Sequence, residues 1–215
     1  GGSDIRDVGN LKYDAAPLPT QPALIAEISR QTEGRPIFLA ASTHANEEQT
    51  IAQTHALIAQ QFPNLLTIII PRHAVRGDAI AADLRRTHVA LAQRSKSEAI
   101  TAQTSIYLAD TMGELGSFYT LADVVFMGGS LIPHGGQNPL EAARFTKAIL
   151  TGPYTHNFAS IIAPFVAAHA IGIATDAASL SQQVCSLLAD EPSRQAMAKR
   201  AFAAVEQSRG ASSII

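Results

Sequence analysis

Residues 123–152 read "DVVFMGGSLIPHGGQNPLEAARFTKAILTG". Two apolar runs, 123–129 and 147–152, bound this stretch, and neither alternates with polar residues. A strand of that kind is buried on both faces, as in a parallel sheet covered by helices. Between the runs, "NPLEAARFT" (138–146) has helical spacing. Strand, helix, strand in that order is a βαβ unit. The joining loop is unusual. Residues 126–141 hold four of the chain's 14 glycines, together with Pro133, Pro139 and His134.

Working outward, the same alternation recurs on both sides. Strands are predicted at 35–42, 64–71, 89–93, 105–110 and 170–175, with "NLLTIIIP" (64–71) the clearest. Helices are predicted at 46–62, 77–87, 113–122, 156–168 and 176–191, and a last one at 192–208 opens with Pro192 at a permitted position. The pattern defines an α/β fold, a doubly wound parallel sheet of Rossmann-like type. Residues 1–20 read as a linker from a preceding domain, with residues 1–3 a tag remnant. Residues 21–191 form the domain, and 192–215 a C-terminal helix and tail. The abrupt polar start suggests an excised piece of a longer chain.

The totals narrow the function. The chain has 215 residues, 47% apolar and 16% charged, with a formal net charge of -2. No global basic field draws it to nucleic acid or anionic lipid, so an anion would need a local site. Its one cysteine, Cys185, excludes an internal disulfide and lies in a helical pattern that reads as core. No apolar run reaches the roughly 18 residues of a membrane span, and no signal peptide is recognisable. The seven histidines lack metal-ligand spacing, so no metal or cofactor is expected. No G-x-S-x-G elbow is present either.

Ligands of open α/β sheets bind beyond the carboxyl ends of the strands. Four such exits carry polar residues. "ASTHANEE" (41–48) supplies Ser42, Thr43 and His44; the plainer reading is a helix cap followed by first-turn glutamates. "PRHAVR" (71–76) sets Arg72 after the most apolar strand, although a solvated loop arginine would look the same. "DTMGEL" (110–115) offers Asp110 and Thr111, plainly read as caps. The fourth exit is the glycine loop. Gly128 and Gly129 allow a sharp exit from the strand, and Gly135 and Gly136 sit just before the helix near Asn138. The physical reading is a phosphate or carboxylate cradle at a helix N-terminus. It matches neither the P-loop nor the Gly-x-Gly-x-x-Gly fingerprint. Glu141, in the first helical turn, could accept two hydrogen bonds from a ribose diol.

Six blocks in order, "VGNLKYD" (8–14), "ASTHANEE", "PRH" (71–73), "DTMGELGSFYTLADVVFMGGSL" (110–131), "GGQNPLEAA" (135–143) and "TGPYTHNF" (151–158), together resemble the 3-deoxy-D-manno-octulosonic acid (Kdo) transferases of lipopolysaccharide synthesis. The resemblance covers nearly the whole chain. It implies the C-terminal, nucleotide-sugar half of a two-domain GT-B glycosyltransferase. The donor would be CMP-Kdo, transferred with inversion to a lipid A precursor on the cytoplasmic face of the bacterial inner membrane. The acceptor site, membrane anchor and catalytic base would belong to the N-terminal half, so this chain alone would be inactive.

Carried over by position, the resemblance implies that Pro71, Arg72, Met112, Gly113, Glu114, Asn138, Pro139, Leu140 and Glu141 meet CMP. Gly135 and Gly136 would clear space for it. Ser42 and His44 would line the cleft near the sugar, and Lys12 would offset charge on the leaving phosphate. The C-terminal helix would pack on the other domain, leaving "AFAAV" (201–205) an exposed apolar face here. Two positions depart from the family: Asn46 stands where glycine is usual, and Gln137 where histidine is usual. Asparagine tolerates the same backbone angles, so the turn at 46 is expected to survive. Rival readings are a GT-B domain using a UDP-sugar, as a transferase or epimerase, and a stand-alone nucleotide-sugar-binding module.

Overall fold

Seven strands form one sheet in the order β3-β4-β2-β1-β5-β6-β7, with every neighbouring pair parallel, in a computed structural model that describes residues 16–209. The strands are β1 (Ile37–Thr43), β2 (Leu66–Pro71), β3 (Leu91–Gln93), β4 (Ile106–Leu108), β5 (Val124–Met127), β6 (Ala148–Thr151) and β7 (Ile171–Ile173). Six lie within the runs expected from the sequence, and β1 extends one residue past its run, to Thr43. Side chains alternate across the sheet, which gives two cores rather than one. Ile37, Leu39 and Ala41 of β1 face one core, and Phe38 and Ala40 the other.

The second core is covered by α2 (Glu47–Ile58), α3 (Gly77–Arg85) and α7 (Ala177–Ala189), through Ile51, Ile58, Ile80, Leu84, Leu180 and Val184. The first is covered by α1 (Pro22–Gln31), α4 (Leu115–Leu121), α5 (Leu140–Arg144), α6 (Ala159–Ala167) and α8 (Glu191–Arg209). α1 is a helix the sequence reading leaves unassigned. Pro22 presets its first turn, and only Leu24 and Ile28, one helical step apart, mark its buried face.

The C-terminal helix departs from expectation. Ala201 and Val205 are each 0% exposed, and α8 packs on β6, α5 and α6 of this same domain. "AFAAV" is therefore not an open apolar face; only Phe202 of that group is an exposed large hydrophobic. The apolar side of the helix has a partner in the first core, so none is needed elsewhere.

β1 lies between β2 and β5, and chain order reverses there. Such a switch point leaves a crevice at the carboxyl edge. The loops after β1, β2, β4 and β5 meet at that edge. No helix among the described residues is long and apolar enough to cross a membrane.

Candidate functional site

The glycine loop leaves β5 in close contact with β1. Gly128 donates its N–H to Ala41 at 2.8 Å, and a Cβ on it would stand 2.6 Å from the Ser42 carbonyl oxygen. Gly129 follows with φ +65, the left-handed region open to glycine. The backbone N–H groups of Gly129, Ser130 and Leu131 then converge as a cradle for an anion expects. The anion is internal. The Glu47 carboxylate accepts from Gly129 at 2.6 Å, and from Ser130 and Leu131 at 2.9 Å each. It also accepts from the His44 N–H at 2.9 Å, and Glu47 is 0% exposed.

Neither Ser42 nor Thr43 caps α2. The N-cap is Asn46 in the left-handed conformation (φ 76, ψ -12), so the turn expected at that position is present. Glu48, next along, accepts from Thr43 at 3.0 Å and forms a two-pronged ion pair with Arg76 at 2.8 and 3.1 Å. Asp110 is likewise no cap. Its buried carboxylate accepts from Gln93 (2.8 Å) and from the N–H and hydroxyl of Ser95 (2.9 and 2.7 Å), tying the loop after β3 to the exit of β4.

A cavity of about 250 Å³ opens at the same edge, on the side of α4 and α5. Ser42, Pro71, Arg72, Met112, Gly113, Glu114, Asn138 and Glu141 all line it. These eight come from the chain segments at the exits of four strands, β1, β2, β4 and β5, and were each singled out in the sequence. Gln137 lines it too. Ser42 sits at a register shift in β1 with φ 58, a costly angle for serine. Met112 is 73% exposed at the mouth.

Glu114 is held in place. Burial pushes its carboxyl up, but hydrogen bonds from Arg94 and Thr111 outweigh this and leave it below its ordinary value. Arg94 reaches it at 3.0 and 3.3 Å. Glu141 is different. Burial raises its carboxyl, and the charges of Arg144 and Arg72 only partly oppose this. Just ahead of it, the Asn138 side chain accepts from the Leu140 N–H at 3.1 Å and fixes the turn into α5.

The remaining predicted residues lie elsewhere. Leu140 is buried in the first core, and Pro139 is the N-cap of α5. Gly135 and Gly136 give room to residues 154–157 instead of to the cavity. A Cβ on Gly135 would meet Asn157 Nδ2 at 2.2 Å, and one on Gly136 the Tyr154 carbonyl at 3.2 Å. His44 stacks on His134 with ring centroids 3.7 Å apart and contacts Gln137 Nε2 at 2.9 Å. Burial, with the charges of His134, His73, Arg76 and Arg72, lowers its pKa to about 4. His134 is held in turn by the Asn157 amide, which donates to its carbonyl at 3.0 Å. Lys12 lies outside the described residues.

A parallel sheet with a loop-built cavity at its switch point is a general ligand-binding architecture, and the sequence narrows it: residues 85–204 match the family model for group 1 glycosyl transferases, and the chain belongs to that family. Within it, the chain is 36% identical over 94% of its length to the 3-deoxy-D-manno-octulosonic acid transferase of Haemophilus influenzae, of which it covers 48%. It is 35% identical to the Bordetella pertussis enzyme of that name, over 91% of this chain and 46% of the relative. Among solved structures it resembles the C-terminal CMP-Kdo binding domain of WaaA from Acinetobacter baumannii. That match has a TM-score of 0.81 and 33% identity, covering 86% of this chain and 97% of that one. The chain spans about half the length of the curated relatives it matches.

Proposed function

We propose that this chain is the donor-binding half of an inverting Kdo transferase, and that its cavity takes the nucleotide of CMP-Kdo. The observation that carries the reading is the convergence of Arg72, residues 112–114, Asn138 and Glu141 on one cavity at the switch point. Its likeness to the CMP-Kdo binding domain of WaaA supports the choice of nucleotide.

In this reading Glu141 accepts hydrogen bonds from the ribose hydroxyls. Its carboxylate faces the cavity, while the Glu47 carboxylate does not. The Arg72 guanidinium stabilises the phosphate as the glycosidic bond to Kdo breaks and negative charge collects on CMP; one such preorganised donor is worth about 2.7–4 kcal/mol of barrier. Lys12 would add to that charge stabilisation. Ser42 and His44 lie toward the sugar, with His44 neutral and anchored by Gln137. An acceptor hydroxyl of a lipid A precursor, deprotonated by a base from the N-terminal half, would attack from the open side. The work would take place at the cytoplasmic face of the bacterial inner membrane.

Calorimetric titration with CMP, UDP and ADP tests the proposal. CMP is expected to bind, and to bind more tightly than the other two. Preference for UDP would replace the donor, and no binding of any nucleotide would remove the reading.

A further inference from the structure

The stretch ahead of α1 lies against the cavity. The Gln21 N–H donates to Ser117 Oγ at 2.8 Å, and its side-chain amide donates to the Gly113 carbonyl at 3.4 Å. Pro19 crosses α4 so closely that a Cβ on Gly116 would stand 2.4 Å from its carbonyl oxygen and 3.1 Å from that of Leu18. Gly116 is therefore required for space. Leu18 is half-buried, packs on the first core and lines the cavity beside Gly113, Glu114 and Leu115. Among the described residues that line the cavity, Leu18 alone precedes the first helix.

The cavity lining is of two kinds. Arg72 and Glu141 supply charged groups, which suit phosphate and ribose. Leu18, Leu115 and Phe118 supply apolar surface, beside the peptide groups of 113–114. A flat heterocycle needs both, an apolar face to lie on and hydrogen-bonding groups along its edge.

We infer that residues 17–21 form a strap over the apolar part of this cavity, and that Leu18 packs on the face of the pyrimidine ring. The inference rests on the nucleotide reading above and adds a residue to it. Because the strap is pinned at Ser117 and Gly113, it also limits the length of base the cavity admits.

The test uses the whole chain with ¹³C-labelled leucine methyl groups, saturated with CMP. Nuclear Overhauser contacts are expected between the Leu18 methyls and the H5 and H6 protons of cytosine; their absence overturns the strap. Leu18→Ala removes contact worth roughly two methylenes, so CMP should bind about tenfold more weakly. Ribose 5-phosphate, which has no base, should lose little. Gly116→Ala, whose Cβ would push the Leu18–Pro19 backbone away while leaving the Leu18 side chain chemically intact, should weaken CMP similarly while circular dichroism shows the fold retained. Equal losses for CMP and ribose 5-phosphate would make Leu18 a packing residue only. CMP binding that depends on Glu141 but is indifferent to Leu18 would sink the strap alone. No CMP binding by the wild-type chain would sink the donor reading and the strap together.

Discussion

Two glutamates stand at helix starts on the same edge of the sheet, Glu47 at the head of α2 and Glu141 in the first turn of α5. Glu47 is fully buried and accepts four backbone N–H bonds. Glu141 is half-buried, lines the cavity, and its carboxyl is raised by burial. The difference shows what a glycine-rich loop does with its exposed amides. Here they are spent on an internal carboxylate, which fixes the loop and leaves ligand binding to the residues that follow it. The sequence shows a cradle and an acid; the structure shows that they belong to different partnerships.

The largest effect should come from Glu47→Ala. It leaves three loop amides and the His44 N–H without their shared acceptor, and losing one partner of a buried charged network costs roughly 3–5 kcal/mol. Urea unfolding checks this; a loss under 1 kcal/mol would show that water replaces the carboxylate at no cost. Gly128→Ala attacks the same joint from the other side, since its Cβ would meet the backbone of Ser42 and Thr43 at 2.6–2.7 Å. Overpacking against backbone should destabilise by about 1–3 kcal/mol, read as a fall in Tm.

Glu141→Ala sharpens the contrast because it should spare stability and weaken CMP binding, by about 1–3 kcal/mol in calorimetry. Unchanged affinity would reduce Glu141 to a helix-start residue. The pH dependence runs in a stated direction. The folded state raises the Glu141 carboxyl, so its contribution to stability is present below the ordinary carboxylate value and lost as pH rises through the raised one. The Glu141 part of CMP affinity should fall as pH drops through that same raised value, and Glu141→Gln should remove that part and leave only the titration of CMP itself. The smallest effect concerns His44 and His55, both lowered by burial from 6.5 to about 4. Their folded values are depressed, so the stability they contribute is present above 6.5 and lost as pH falls toward 4. Nuclear magnetic resonance titration should find both rings neutral at pH 6.

The sheet was legible because its strands are unbroken apolar runs, such as 64–71, and those need no partner to be recognised. The cavity lining was legible at Arg72 and 112–114, which follow strands β2 and β4, and at Glu141, which opens the helix after the glycine loop. What hid from the sequence depended on distance along the chain. Glu47 finds its amides 82–84 residues away, and as a first-turn glutamate it looked ordinary. Gly135 and Gly136 looked like ligand clearance because their neighbours at 154–157 come from the next βα loop. α1 was masked by the prolines around its start, and Leu18 by its place in what reads as a linker.

A loop with two glycine pairs would ordinarily be the first part of such a domain to open. Tied by Glu47 to the head of α2, it becomes a clasp between the two wings of the sheet, one built from β1 to β4 and the other from β5 to β7. Among the described residues, the larger joints between the wings are the β1–β5 ladder and the contacts of α2 with α7, α1 with α4, and α4 with β1. The Glu47 carboxylate adds to those joints a tie from the head of α2 to the loop after β5, so hydrogen exchange at the 129–131 amides is expected to be slow for so glycine-rich a segment.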